Sequence, residues 1–130
     1  MEVATHHAIE RRLCGVAINL GPGKATVRLE TTREMAADAR GLVHGGFVFG
    51  AADYAAMVAV NDPNVVLGAA ECKFVAPVRL GQVVDFSARE VAEAGRRHDV
   101  EVVGRVGEKT VFEGAFACFV LERHVLEGSR

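Results

Sequence analysis

Between Phe47 and Val60 the chain carries one charged side chain, Asp53, in a run otherwise made of Ala, Gly and large apolar residues. The run opens at Gly45-Gly46 and stops at the Asn61-Asp62-Pro63-Asn64 cluster, which predicts a helix over Gly45 to Val60. A bilayer span needs roughly 17 to 25 apolar residues, so this segment is too short to cross a membrane and carries a carboxylate as well. A helix apolar on nearly every side has to be covered by protein. Its small residues Gly50, Ala51, Ala52, Ala55, Ala56 and Ala59 would let other backbone approach closely. Whatever the rest of the chain forms must wrap around this helix.

The rest reads as strands. Val16, Ile18 and Leu20 alternate with small or polar neighbours, Gly21-Pro22-Gly23 makes a turn, and Ala25 to Leu29 runs back. Past the helix, Val66, Gly68, Ala70, Cys72 and Phe74 are predicted on one face of a strand, with Glu71 and Lys73 on the other. Three further strands are expected near Val83 to Val91, His98 to Val106 and Thr110 to Val120, with turns at Ala94-Gly95 and Gly107-Glu108. Thr5 to Leu13 is expected to form a short leading helix, and residues 1–4 and 126–130 to fray. No repeat, low-complexity tract or linker divides the chain, so residues 1–130 are expected to be one α+β domain. Its architecture would be a curled antiparallel sheet of five to six strands around one long central helix.

Several function classes are excluded early. A net charge of -2 offers no footprint for nucleic acid or for a membrane surface. Gly23-Lys24 is not a phosphate loop, because the leading glycine of that pattern falls at Ile18. Cys14, Cys72 and Cys118 lack any paired spacing for zinc or redox chemistry and read as reduced thiols. His6, His7 and His124 show no ligand spacing, and neither a metal nor a separate cofactor is expected. No secretory signal opens the chain, so a cytoplasmic location is expected.

Chemistry concentrates at the helix. Leu42-Val43-His44-Gly45-Gly46 leads into it, and two glycines leave unobstructed backbone N–H groups where the helix dipole favours negative charge. Such a terminus can hold an oxyanion. Nine residues beyond His44 stands Asp53, and a buried carboxylate is costly unless it is used or fully hydrogen-bonded. Nine residues of helix span roughly 13 Å and two and a half turns, so one small reacting group cannot touch Gly45 and Asp53 of the same chain. Two copies related by a two-fold axis could pair the helix start of one with the Asp53 of the other.

Val43-His44-Gly45-Gly46 followed by Ala52-Asp53 resembles the hot-dog thioesterases of the 4-hydroxybenzoyl-CoA and PaaI-like group. The similarity runs from about Gly15 to Leu121 and includes Phe74-Val75-Ala76-Pro77-Val78 with Gly81 after it. The resemblance implies hydrolysis of an acyl-CoA to a free acid and coenzyme A, by a homodimer or dimer of dimers with shared active sites. It implies that the Gly45 N–H polarises the thioester carbonyl and that His44 and Gly46 shape the turn. Asp53 of the other subunit would be general base or direct nucleophile. Two departures stand out: Asp38 occupies the place of an Asn or Gln that positions the thioester in many relatives, and Met57 and Leu67 occupy the likely places of a water-orienting Ser or Thr. Arg79, Arg96 and Arg97 are candidates for the phosphates of coenzyme A, while Phe47 and Phe74 are candidates for the acyl group.

Two other readings of the same fold remain. The chain also resembles the ligand-sensing half of a fatty-acid-synthesis repressor, which implies acyl-CoA binding without hydrolysis. About a dozen residues precede the first expected strand, too few for that repressor's DNA-binding part, so a stand-alone sensor is what this alternative predicts. A hot-dog hydratase would place a His with an Asp or Glu differently, and no such pattern lies near the helix.

Overall fold

A computed structural model describes residues 1–128. The elements run α1 (Arg11–Cys14), β1 (Val16–Gly21), β2 (Lys24–Glu30), a short 3-10 turn (Arg33–Met35), α2 (Gly45–Val60), β3 (Val65–Phe74), β4 (Val83–Ala94), β5 (Arg97–Val106), β6 (Lys109–Val120) and α3 (Val125–Gly128). All six strands form one antiparallel sheet in the order β1-β2-β4-β5-β6-β3. Helix α2 touches every one of them, which a flat sheet could not achieve, so the sheet curls around it.

The helix runs over the residues its sequence predicts and ends on Asn61, whose left-handed φ of 57° and N–H to Met57 O bond (2.8 Å) close the last turn. Ala51, Ala52, Ala55, Ala56 and Ala59 are all buried. Period two supplies the complementary surface: Val27 and Leu29 on β2, Val84 and Phe86 on β4, Val100 and Val102 on β5, and Phe112 and Phe116 on β6 are fully or almost fully buried. The opposite face of the sheet is polar and carries the Arg28–Asp85 (2.8 Å) and Arg89–Glu101 (3.5 Å) ion pairs.

Four expectations need correction. The leading helix spans only Arg11–Cys14, because His6 takes a left-handed φ of 56° that no α-helix admits and the preceding residues bond elsewhere. The strict alternation expected along β3 breaks between Leu67 and Ala69, where the register with β6 shifts. Gly68 sits at that bulge, and a Cβ there would lie 2.4 Å from the Phe119 ring, so only glycine lets the ring pass. The first hairpin turn after β4 is Gly95-Arg96, with Ala94 still in the strand. Of the ends expected to fray, Ala4 N donates to Asn61 Oδ1 (2.7 Å), Asn61 Nδ2 donates to Glu2 O (2.9 Å), and residues 125–128 form a helical turn. Residues 129 and 130 lie outside the described residues.

Two strands are edges. β3 bonds only to β6, and Gly68, Ala69, Ala70, Glu71, Lys73 and Phe74 are exposed along it. An unpaired strand of this length is a template for a further strand.

Gly104 faces the helix between Phe86 and Phe112 in register, and a Cβ there would lie 2.8 Å from the Phe86 ring. Gly104→Ala is therefore expected to lower stability by about 1–3 kcal/mol through overpacking. Chemical denaturation, read as a lowered midpoint at unchanged slope, checks it.

Candidate active site

The start of α2 is held by its loop. Val43 N donates to Val78 O (2.9 Å), His44 N to Met35 O (2.8 Å), and Ala37 N to Leu42 O (2.7 Å), so the turn is clamped between the 3-10 turn and the segment before β4. His44 is the N-cap without a side-chain cap bond, and its O accepts the Phe47 N–H (3.0 Å). Its imidazole lies over Gly46, where a Cβ would fall 3.0 Å from Nε2. The first N–H groups of a helix have no acceptor inside it, and no other described residue accepts from Gly45 or Gly46. Phe74, at the end of β3, sets its ring beside Gly45, 3.4 Å from where a Cβ would be. Phe47 packs edge-on to His44 with ring centroids 6.1 Å apart. Thus His44, Gly45, Gly46, Phe47 and Phe74 do converge at this end.

Asp53 lies at the middle of the helix, on the side facing the start of β3. Among residues 51–59 it is the one not fully buried. It borders a cavity of about 360 Å³ with Thr5, His6, Met57, Leu67 and His124. Its Oδ1 is inaccessible and has no hydrogen-bond partner among the described residues; the Tyr54 hydroxyl next to it in sequence does not supply one. Burial without a compensating donor raises its carboxyl from 3.8 to about 6. The nearby Cys118 and Cys14 thiols are pushed up chiefly by burial and further by the Asp53 charge, Cys118 to about 12, so both stay protonated and inert.

The other predicted residues are distributed between the two ends. Asp38 Oδ1 accepts from Arg40 N (2.9 Å) and Leu42 N (3.2 Å) and so shapes the loop into His44. An Asn oxygen could accept the same two bonds. Arg79 is exposed beside Leu42, at the Gly45 end. Arg96 and Arg97 belong to the far end of the sheet and are paired with Glu122 (2.7 Å) and Asp99 (2.8 Å). Met57 and Leu67 both border the Asp53 cavity, so the expected places for a water-orienting hydroxyl are occupied by apolar groups. The residues that sequence reading missed are Thr5, His6 and His124. They enter through chain segments remote from the helix, and only the fold brings them to Asp53. Among the described residues, Glu90, Glu93 and His98 form the one group that could hold a metal ion, with His98 Nδ1 3.0 Å from Glu90 Oε2.

The model of the thioesterase superfamily matches residues 40–113. A solved structure of an uncharacterized protein from Pyrococcus horikoshii is 49% identical, covers 97% of each chain and superposes with a TM-score of 0.95. A mutant of the phenylacetic acid degradation protein PaaI from Thermus thermophilus is 28% identical over 84% of this chain and 95% of its own, with a TM-score of 0.76. Among curated proteins, methylthioribose-1-phosphate isomerase of Aquifex aeolicus is 47% identical over 89% of this chain, and transcription factor FapR of Caldanaerobacter subterraneus is 29% identical over 87%. The chain spans only 25% and 57% of those two proteins' lengths.

Because the folded-state carboxyl of Asp53 titrates above its ordinary value, its contribution to stability is fully present below pH 3.8 and is lost as pH rises through about 6. The loss is on the order of 3 kcal/mol. Asp53→Asn has no proton to lose, so it is expected to melt several degrees above the wild type at pH 8, with the gap closing by pH 4. Thermal denaturation across that range checks both the sign and the window.

Proposed function

The chain belongs to the thioesterase superfamily and has its hot-dog fold, and from that footing we propose that it is an acyl-CoA thioesterase whose acting group is Asp53. The observation that carries this reading is the Asp53 carboxylate, which borders a cavity of about 360 Å³ and whose buried Oδ1 has no hydrogen-bond partner among the described residues. A structural carboxylate would be satisfied by donors. With its carboxyl near 6, Asp53 is mostly ionised at neutral pH yet basic enough to accept a proton in the transition state. It either removes a proton from the attacking water or attacks the carbonyl carbon itself. The Gly45 N–H, at the positive end of the helix dipole, takes the developing oxyanion.

The two groups meet across a dimer. Phe74 and Gly45 stand at one end of β3, whereas Val65, Val66 and Leu67 at its other end border the Asp53 cavity. Two-fold antiparallel pairing of β3 with β3 would satisfy both open edges and set the Phe74 end of one copy against the Val65 end of the other. Each site would then take its oxyanion donor from one copy and its carboxylate from the partner. Arg79 from one end, and Arg96 or Arg97 from the other, would be available to the coenzyme A phosphates. The paired Arg96 and Arg97 exchange surface partners at little cost. Phe47 and Phe74 would contact the acyl group.

The similarity to FapR over 87% of the chain supports a second reading, a domain that binds acyl-CoA without cleaving it. Thiol release separates the two. The wild type is expected to free coenzyme A from a panel of acyl-CoAs, with kcat/KM rising through about pH 6 as Asp53 ionises. Asp53→Asn is expected to lose tenfold or more of that rate while retaining binding, within the range usual for a lost general base. Acyl-CoA binding without thiol release by the wild type would favour the sensor.

Gly45→Val should abolish turnover in a dimer that still forms, since a branched side chain would press on Phe74 and cover the N–H. Full activity would place the oxyanion site elsewhere. A monomer in sedimentation at micromolar concentration would remove the shared-site geometry.

A further inference from the structure

The amino-terminal segment is strapped across the carboxyl end of α2. The Asn61 side chain both accepts from Ala4 N (2.7 Å) and donates to Glu2 O (2.9 Å). Thr5, 3% exposed, is the anchor, and its Oγ1 lies 2.7 Å from His6 Nδ1. His6 is held with a left-handed φ of 56°, one of two non-glycine residues so placed among the described residues, the other being the helix cap Asn61. Its ring stands 6.2 Å from that of Tyr54, the residue after Asp53, and both Thr5 and His6 border the Asp53 cavity. A fold that needed only a turn here could use glycine. Backbone strain retained at a cavity, with the side chain fixed by a second buried residue, points to use of the imidazole.

Resting on the thioesterase reading, we propose that His6 is a catalytic residue that donates a hydrogen bond to the departing sulfur. With Thr5 Oγ1 as the donor in the 2.7 Å contact to Nδ1, the ring proton sits on Nε2, which has no hydrogen-bond partner among the described residues. The oxygen of water bonds to the carbonyl carbon as Asp53 takes the water's proton. The tetrahedral oxyanion then collapses, and the C–S bond breaks with its electron pair on sulfur. The thiolate forms against the Nε2–H, which Nε2 keeps, and the proton held by Asp53 is released to solvent, from which the thiolate can be protonated.

The surroundings favour this role. His6 is exposed at the edge of the cavity, and its partial burial lowers its pKa from the ordinary value, which favours the neutral ring. The other titratable groups on the elements packed here are Asp53 and Tyr54 on α2, His7 in the same segment, Glu10, Arg11, Arg12 and Cys14 at α1, and His124 after β6. His124 is exposed, and its Nδ1 accepts from Leu126 N (3.1 Å) within its own turn. Met57 and Leu67 offer no donor.

The test varies the leaving group. Two thioesters of the same acyl group are compared, one of coenzyme A and one of an acidic thiophenol whose thiolate needs no assistance. His6→Ala is expected to lower kcat about tenfold or more on the coenzyme A thioester, with KM nearly unchanged, and less than about threefold on the thiophenyl ester. His6→Gln, which restores an N–H donor, should recover part of the loss. Should His6→Ala fail to fold, Thr5→Val, which removes the partner of Nδ1, is expected to show the same selective loss. Equal losses on both thioesters, or none, would overturn the role of His6 while the Asp53→Asn result still stands for the proposed function. No thiol release by the wild type from either thioester would overturn both.

Discussion

Burial of one helix on every side is the constraint from which the rest of this structure follows. Most of the buried residues of α2 are alanine or valine, so six strands can approach the same axis. Facing residues compensate in size: the phenylalanines at 86, 112 and 116 fill what the alanines leave open, and Gly104 makes room between two of them. Interiors packed to this density are intolerant of a single added methyl group. The sheet curls because the helix demands it, and the curled sheet in turn leaves β1 and β3 as unjoined edges.

Against that background Asp53 is a deliberate exception. A carboxylate in the middle of an apolar helix, with one oxygen lacking any donor, costs the folded state free energy that alanine would not. Stability given up at one residue in exchange for a poised ionisation is a common property of reactive centres. The same burial that raises this carboxyl keeps the thiols of Cys14 and Cys118 protonated, so neither thiol competes with Asp53 on this side of the helix.

The position of the site is set by the rigidity of the helix. Gly45 and Asp53 belong to one unbroken helix and can never meet within a chain, however the loops move. The open β3 edge runs between the two ends, with Phe74 near the first and Val65 to Leu67 near the second. In the proposed reaction symmetry would become part of the chemistry, because an antiparallel pairing of β3 edges would exchange those ends.

Much of this was readable from residue order. The span of α2, its capping by the Asn61 cluster, the six strands and their turns, the helix start at His44-Gly45-Gly46 and the isolation of Asp53 all follow from local periodicity and from the cost of burying a charge. Those signals act within a few residues of one another, or on the helix alone. The bulge at Gly68 was not readable, because it answers to the Phe119 ring on a different strand. Nor was the fate of the first residues: their pattern suits a longer helix, but Asn61, more than fifty residues away, takes their backbone groups and bends them over Asp53. Thr5, His6 and His124 therefore gained their place at the cavity from tertiary structure alone. Sequence determined which segments must be dry and where a charge would be conspicuous; which distant side chains share that charge's cavity was decided only when the sheet closed over the helix, because no local spacing encodes a contact made across the core.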